Sequence, residues 1–349
     1  MIVQVGPYPK PIGGISVYIK RMKHYLDLQG INNEVWDISG IKKYENGVRQ
    51  IRLRYIPIML ILKKDIEIIH YNLCGIMPKI YISIFNKILL SKKKKIITLH
   101  GDNADIIKKS KRVFIMTLNT FDCIICVKAG DSKKLKNEGV KKPIYDLPAF
   151  IVPTQSTDIE LPQYIQNFIK QKNFIISANA SSIQFNNSID LYGIDMCIDL
   201  AAALKNKGFK IGMIFCLPYI NNDFYYKELI CRINENGIQQ DFLFVHENME
   251  LWPIIEKSQI FIRPTCDDGY GVSLAEAIYY NVPAIASDVC ERPEGTIIFT
   301  SRDIKDLYKK TIDIINNYDN YKEKIRNIKI QDSTQKLFEI YKRILRYKS

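Results

Sequence analysis

The 349-residue chain has no apolar run approaching the roughly 20 residues that a membrane-spanning helix needs. The longest, Tyr55 to Leu62 and Ile80 to Leu90, are short and flanked or interrupted by lysines. Its start, Met1-Ile2-Val3-Gln4-Val5-Gly6, has no basic stretch ahead of an apolar one, and turns at Gly6 and Pro7. It therefore reads without a secretory signal, as a cytoplasmic protein. No second CxxC accompanies Cys123 and Cys126. Those two sit in a segment that reads as a strand, where residues three apart point to opposite faces and cannot share a metal. The eight cysteines are expected to be reduced core residues. The dinucleotide fingerprint G-x-G-x-x-G is missing, which argues against a nicotinamide enzyme. No short repeat or low-complexity tract is found.

What is present suits a two-domain α/β enzyme. Hydrophobic residues make up 47% and charged residues 25%, enough for sizeable cores at a length that favours two domains. The net charge of +13 is uneven. Residues 1–150 hold 27 Lys and Arg against 12 Asp and Glu, a net of +15, and the remainder holds 23 against 25, a net of −2. A basic half suits nucleic acid, an anionic membrane or a phosphate-bearing ligand, and equally a solvated lysine-rich surface.

Strands are predicted at Ile2–Gly6, Glu34–Ile38, Ile66–Asn72, Lys95–His100, Cys123–Lys128 and Ile144–Leu147, with helices between them such as Ser16–Leu28. A polar stretch, Pro153 to Asp158, reads as a linker. The alternation then restarts with strands at Phe174–Ala178, Lys210–Leu217, Phe242–His246, Ile260–Arg263, Ala284–Ser287 and Thr296–Thr300. Strands separated by helices argue for doubly wound parallel sheets, with ligands in the crevice outside the strand C-termini. The expected domains are residues 1–152 and 159–325, with residues 326–349 forming a helix that packs back on the first domain. Asp332 and Gln335 would cap that helix.

The strongest local pattern is Arg263-Pro264-Thr265-Cys266-Asp267-Asp268-Gly269-Tyr270-Gly271-Val272-Ser273-Leu274-Ala275-Glu276-Ala277. A strand ends at Arg263, a glycine loop follows, and a helix opens near Val272 or Ser273. Free N–H groups at such a helix start make a phosphate site. Asp268 and Glu276 can face one ligand, and a carboxylate suits a ribose diol. An ordinary βαβ unit with a solvated acidic loop accounts for the same residues.

The phrase D-G-Y-G-V-S-L-A-E-A-I-Y-Y-N-V-P-A-I-A-S-D, Asp268 to Asp288, resembles the Glu-x7-Glu signature of glycosyltransferase family 4, a retaining family of the GT-B fold. With the two-domain layout, the resemblance extends over nearly the whole chain. It implies two Rossmann-like domains facing a cleft. It also implies a nucleotide-diphosphate sugar donor bound at Gly269, Gly271, Val272, Ser273 and Glu276, with Glu276 on the ribose and Asp268 on the donor sugar. The family works without an essential metal, and no other cofactor is expected. Asp268 departs from the pattern, one methylene shorter than the usual Glu.

Two further sites fit the same family. The Gly13-Gly14 pair, between the first strand and first helix, matches its diglycine loop, although a plain Pro/Gly turn reads the same. His100, at a strand end, matches its cleft histidine, expected to donate a hydrogen bond to a sugar hydroxyl or phosphate. His70 is a weaker second, and His24 and His246 read as surface or packing residues. The Arg and Lys that the family places after the first strand of the second domain are missing from Ser177 to Gly193. Arg263 and Arg292 are the nearest substitutes for meeting the diphosphate charge.

Apolar residues beside lysines in Lys42–Lys64 and Ile80–Lys95 suit either a face resting on an anionic bilayer or core helices with solvated lysine ends. The resemblance implies a saccharide acceptor, lipid-linked in enzymes of capsule and O-antigen assembly, and a location at the inner face of the membrane. A nucleotide-sugar epimerase of the same fold is the alternative. A nucleic-acid partner is not expected, because no recognition motif or aromatic stacking run accompanies the basic residues.

Overall fold

The computed structural model describes residues 1–10, 12–41, 44–88, 93–100, 104–153, 160–330 and 332–346. The chain divides into two compact units, Met1–Thr154 with Gln331–Ser349, and Gln155–Ile330. The expected linker lies outside the described residues except for Pro153.

The first unit runs β1 (Ile2–Gly6), α1 (Gly14–Leu28), β2 (Asn33–Asp37), β3 (Val48–Gln50), α2 (Ile56–Leu62), β4 (Ile68–Tyr71), α3 (Met77–Ile88), β5 (Lys94–Leu99), α4 (Ala104–Leu118), β6 (Cys123–Cys126), α5 (Asp131–Asn137) and β7 (Ile144–Asp146). Its seven strands are ordered β3-β2-β1-β4-β5-β6-β7, all parallel. Strands buried on both faces are continuous apolar runs, as parallel sheets require. Tyr71, Ile97, Ile124 and Cys126 join one core with α2, α3 and α4. Ile68, Ile96, Cys123 and Ile125 join the other with α1. Cys123 and Cys126 thus face opposite sides of the sheet, both as free thiols.

The second unit runs α6 (Gln163–Lys170), β8 (Phe174–Asn179), a hairpin of β9 (Phe185–Asn186) and β10 (Ile189–Asp190), α7 (Ile194–Asn206), β11 (Ile211–Cys216), α8 (Asp223–Glu235), β12 (Phe242–Val245), α9 (Trp252–Glu256), β13 (Ile260–Arg263), α10 (Val272–Tyr279), β14 (Ala284–Ser287), β15 (Ile297–Phe299), α11 (Ile304–Asn316) and α12 (Tyr318–Arg326). Its six parallel strands are ordered β12-β11-β8-β13-β14-β15. The connections from β8, β11, β13 and β14 therefore leave from one sheet edge. The final helix, α13 (Thr334–Arg346), returns to the first unit. There Leu337, Ile340 and Tyr341 pack with Met22 and Leu26 of α1. Asp332 accepts from the backbone N–H of Thr334 at 3.0 Å ahead of this helix.

Candidate functional site

In the second unit, β13 delivers Arg263 to the C-terminal edge of the sheet, and the loop from Pro264 turns into α10 at Gly271. Gly271 adopts φ +78°, where a Cβ is strained and would meet Leu274 Cδ1 at 2.8 Å. Glycine is therefore required to aim the helix. No side chain caps α10, so its first N–H groups keep their donors for an incoming acceptor. A Cβ at Gly269 would meet nothing within 4 Å.

Asp268 forms the hub of this loop. Its carboxylate accepts from Arg263 Nη2 at 2.8 Å and Nε at 2.5 Å, from Arg292 Nη1 at 2.5 Å, and from the backbone N–H of Gly269 at 2.9 Å. Burial disfavours its charge, but the two guanidinium groups outweigh that and hold the carboxyl well below the usual range. For Arg263, burial opposes the charge and Asp268 reinforces it, with a net upward shift. Arg292 also donates to the Ser287 carbonyl and hydroxyl, both at 3.0 Å, and to Thr265 Oγ1 at 3.2 Å. The cluster of two cations and one anion keeps one net positive charge beside the start of α10. Arg263 Nη1 reaches Ser273 Oγ at 3.4 Å. Glu276, three residues further along α10 and on the same side of the helix, is buried. The structure therefore brings together Arg263, Asp268, Gly269, Gly271, Val272, Ser273, Glu276 and Arg292. Thr265 and Ser287, which fasten Arg292, were not singled out from sequence, though each lies just after or at the end of a strand.

The start of α7, which follows β8 on this edge, is filled from within. The Asp190 carboxylate accepts from the backbone N–H groups of Tyr192, Gly193, Ile194 and Asp195 at 2.9–3.3 Å, and from Tyr225 Oη at 3.1 Å. Burial, then the neighbouring Asp195, raises its pKa. A protein carboxylate thus occupies the positive end of α7, on the segment where the family resemblance led to an expectation of basic residues.

In the first unit, Gly13 and Gly14 open α1. Gly13 is extended, with φ −162°, and a Cβ on either residue would meet nothing within 4 Å. The backbone does not require glycine here, whereas close approach of a ligand would. His100 follows β5, with Nε2 2.8 Å from Asn72 Oδ1 and its ring edge-on to Tyr18. Burial, helped by the Lys79 charge, lowers its pKa to about 3, so the ring is neutral at ordinary pH. With Nε2–H committed to the Asn72 carbonyl oxygen, Nδ1 can only accept. The ring therefore presents Nδ1 as an acceptor, where the sequence reading expected a donor. His70 is fully buried between Tyr341 Oη and Thr98 Oγ1, each at 2.6 Å, as part of the packing that seats α13. His246 is exposed and bonds the Leu217 carbonyl at 2.7 Å. Among the described residues, no three His, Cys, Asp or Glu side chains group closely enough to hold a metal ion.

This architecture of two parallel-sheet α/β units is the GT-B fold. The model of the family described as "Glycosyl transferases group 1" matches residues 167–332, nearly all of the second unit. The search of curated proteins finds no match. Among solved structures, the chain is similar to a glycosyltransferase from Rickettsia africae, at TM-score 0.71 and 14% identity, covering 99% of this chain and 98% of that one. It is also similar to Anabaena Alr3699/HepE in complex with UDP and glucose, at TM-score 0.67 and 13% identity, covering 98% and 99%. A third is the apo form of the lipopolysaccharide outer core galactosyltransferase WaaB, at TM-score 0.63 and 14% identity, covering 98% and 99%.

Proposed function

We propose that this protein transfers a sugar from a nucleotide-diphosphate donor to a saccharide acceptor with retention of anomeric configuration. The observation that carries the reading is the glycine-led, uncapped start of α10 beside the Arg263–Asp268–Arg292 cluster. Helix N–H groups and one net positive charge form a seat for a diphosphate. Glu276 would hold the ribose, and the Gly269–Gly271 backbone would admit the donor sugar. In the reaction, the bond from the anomeric carbon to the β-phosphate oxygen breaks. The acceptor oxygen bonds to that carbon from the same face, and its proton passes to the departing phosphate. No protein nucleophile and no essential metal takes part. His100 Nδ1 would accept a hydrogen bond from a sugar hydroxyl.

The acceptor we favour is a lipid-linked oligosaccharide of surface polysaccharide, met at the inner membrane surface. Its support is the first unit's outer face. Ile58, Ile61 and Leu62 of α2, Met77 and Ile84 of α3, and Val113 and Met116 of α4 are exposed. These helices cover the same side of the sheet. Residues 49–118 hold 15 Lys and Arg against 4 Asp and Glu, a net of +11, suited to anionic lipid.

The test is thermal unfolding and donor hydrolysis across a panel of nucleotide-diphosphate sugars, with Glu276→Ala beside the wild type. One donor is expected to stabilise the wild type, and Glu276→Ala to abolish the shift. A folded wild type that binds no nucleotide sugar overturns the reading.

A further inference from the structure

The connection between β8 and α7 runs from Ala180 to Gly193, well beyond the two to six residues usual for a strand-to-helix loop. It is built as the β9–β10 hairpin, turning through Asn187 and Ser188 with φ +48° and +65°. Its first ten residues, Ala180-Ser181-Ser182-Ile183-Gln184-Phe185-Asn186-Asn187-Ser188-Ile189, contain no charged side chain. Neither does the neighbouring loop Leu217-Pro218-Tyr219-Ile220-Asn221-Asn222. In a chain that is 25% charged, these two loops stand apart.

They also lie side by side. Ser182 bridges Tyr219 through the backbone, and the Phe185 ring meets Tyr225 of α8 edge-on at 4.9 Å. The surface so formed exposes Phe185 at 43%, Ile189 at 42%, Tyr219 at 38%, Ile220 at 37% and Phe224 at 75%. Between these apolar side chains stand exposed Gln184, Asn187 and Asn221. Large exposed apolar side chains gathered on one surface mark a binding site. Aromatic faces amid amides, without charge, suit a ligand with apolar C–H faces and many hydroxyls. That is a neutral saccharide, whose C–H groups pack on the rings and whose hydroxyls bond the amides. Neither loop carries a Lys or Arg, and the exposed charge beside Phe224 is the acidic Asp223, which disfavours nucleic acid or anionic lipid, both of which call for basic residues.

The platform is tied to the α10 loop within the same unit. The Cys266 N–H donates to the Leu191 carbonyl at 3.0 Å. A Cβ at Gly193 would strike the Pro264 carbonyl at 2.5 Å. We propose that the β9–β10 hairpin and the Leu217–Asn222 loop form a neutral-saccharide subsite on the donor domain, holding sugar units of the acceptor chain away from the reacting hydroxyl. This rests on the transferase reading above, and it gives the second unit a share in acceptor choice.

The experiment uses the full chain on an array of neutral, uronic-acid-containing and phosphorylated oligosaccharides. Uridine diphosphate and guanosine diphosphate binding are measured on the same preparations. The wild type is expected to retain one or more neutral oligosaccharides. Phe185→Ser and Tyr219→Ser should each weaken that binding about tenfold, with nucleotide affinity unchanged. Phe185→Leu, which keeps apolar contact with Tyr225 and removes only the ring, controls for a misfolded hairpin and should also lose most of the binding. Nucleotide binding with no neutral glycan retained, or glycan binding indifferent to all three substitutions, overturns the subsite and leaves the transferase reading standing. Glycan binding with no nucleotide binding overturns the transferase reading instead.

Discussion

Replacing Asp268 by Asn should destabilise the second unit strongly and in a way that a diphosphate can reverse. Asp268 is the only carboxylate that Arg263 and Arg292 contact among the described residues, and the Arg292 side chain is 1% exposed. Asn keeps the shape but removes the charge that offsets two largely desolvated cations. Breaking a buried pair from one side costs about 3–5 kcal/mol. In a domain of this size each kcal/mol moves Tm by about 2–4 °C, so a fall of roughly 6–20 °C is expected. Thermal unfolding with and without nucleotide identifies the affected transition as the one that nucleotide shifts. Inorganic pyrophosphate should stabilise Asp268→Asn more than the wild type, because it meets two uncompensated guanidinium groups. The pH dependence has a definite sign. A carboxyl with a depressed folded pKa contributes stability above its unfolded value of about 3.9 and loses it as pH falls below that. The wild-type transition should therefore drop steeply below pH 4, and that of Asp268→Asn should not. A Tm change under about 2 °C, well below the interval set by a broken buried pair, would refute the account of the cluster.

His100→Ala is expected to lower kcat about 100-fold while donor affinity, measured separately, changes little. Because the folded pKa of His100 is near 3, the wild-type rate should show no His100 titration limb between pH 5 and 8. The same depressed value means that the first unit loses stability as pH falls below about 6.5, a loss that His100→Asn should reduce in acid unfolding curves. The two glycine sites should separate. Gly271→Ala strains a residue at φ +78° and crowds Leu274, so both Tm and nucleotide binding should fall. Gly13→Ala meets open space, so Tm should hold while the transfer rate drops. Equal Tm losses in the two variants would show that both glycines serve only the fold.

Much of this was legible in sequence because it is written in local pattern. Each sheet strand of the second unit appears as a short apolar run. The opening of α10 is signalled by glycines after Arg263, and its end by Asn281, whose φ of +58° lets it close the helix. Other parts depend on distant contacts. Asp268 and Arg292 stand 24 residues apart, and nothing near Asp268 announces that two arginines converge on it. The β9–β10 hairpin hides in a polar stretch that reads as loop, because two-residue strands carry no usable alternation. His70 and His100 both read as strand-end histidines, His70 the weaker. Only the fold shows one walled in by Tyr341 and Thr98 and the other left part-buried beside Asn72.

The missing basic pair in the Ser177–Gly193 stretch and the presence of the hairpin follow from one rearrangement of charge. A helix start carries a positive end that some anion must satisfy. At α7 that anion is Asp190, part of the chain itself, so a cation placed there would have been neutralised before any ligand arrived. The segment is thereby released from contact with phosphate and can carry uncharged aromatic and amide side chains. At α10 the arrangement is the reverse. The start is left uncapped, and two arginines are held beside it by a single carboxylate. A net positive charge survives there without a basic residue on the β8–α7 connection. On this argument, putting Lys at Tyr192 would not restore a diphosphate contact, because the start of α7 beside it already holds the Asp190 carboxylate.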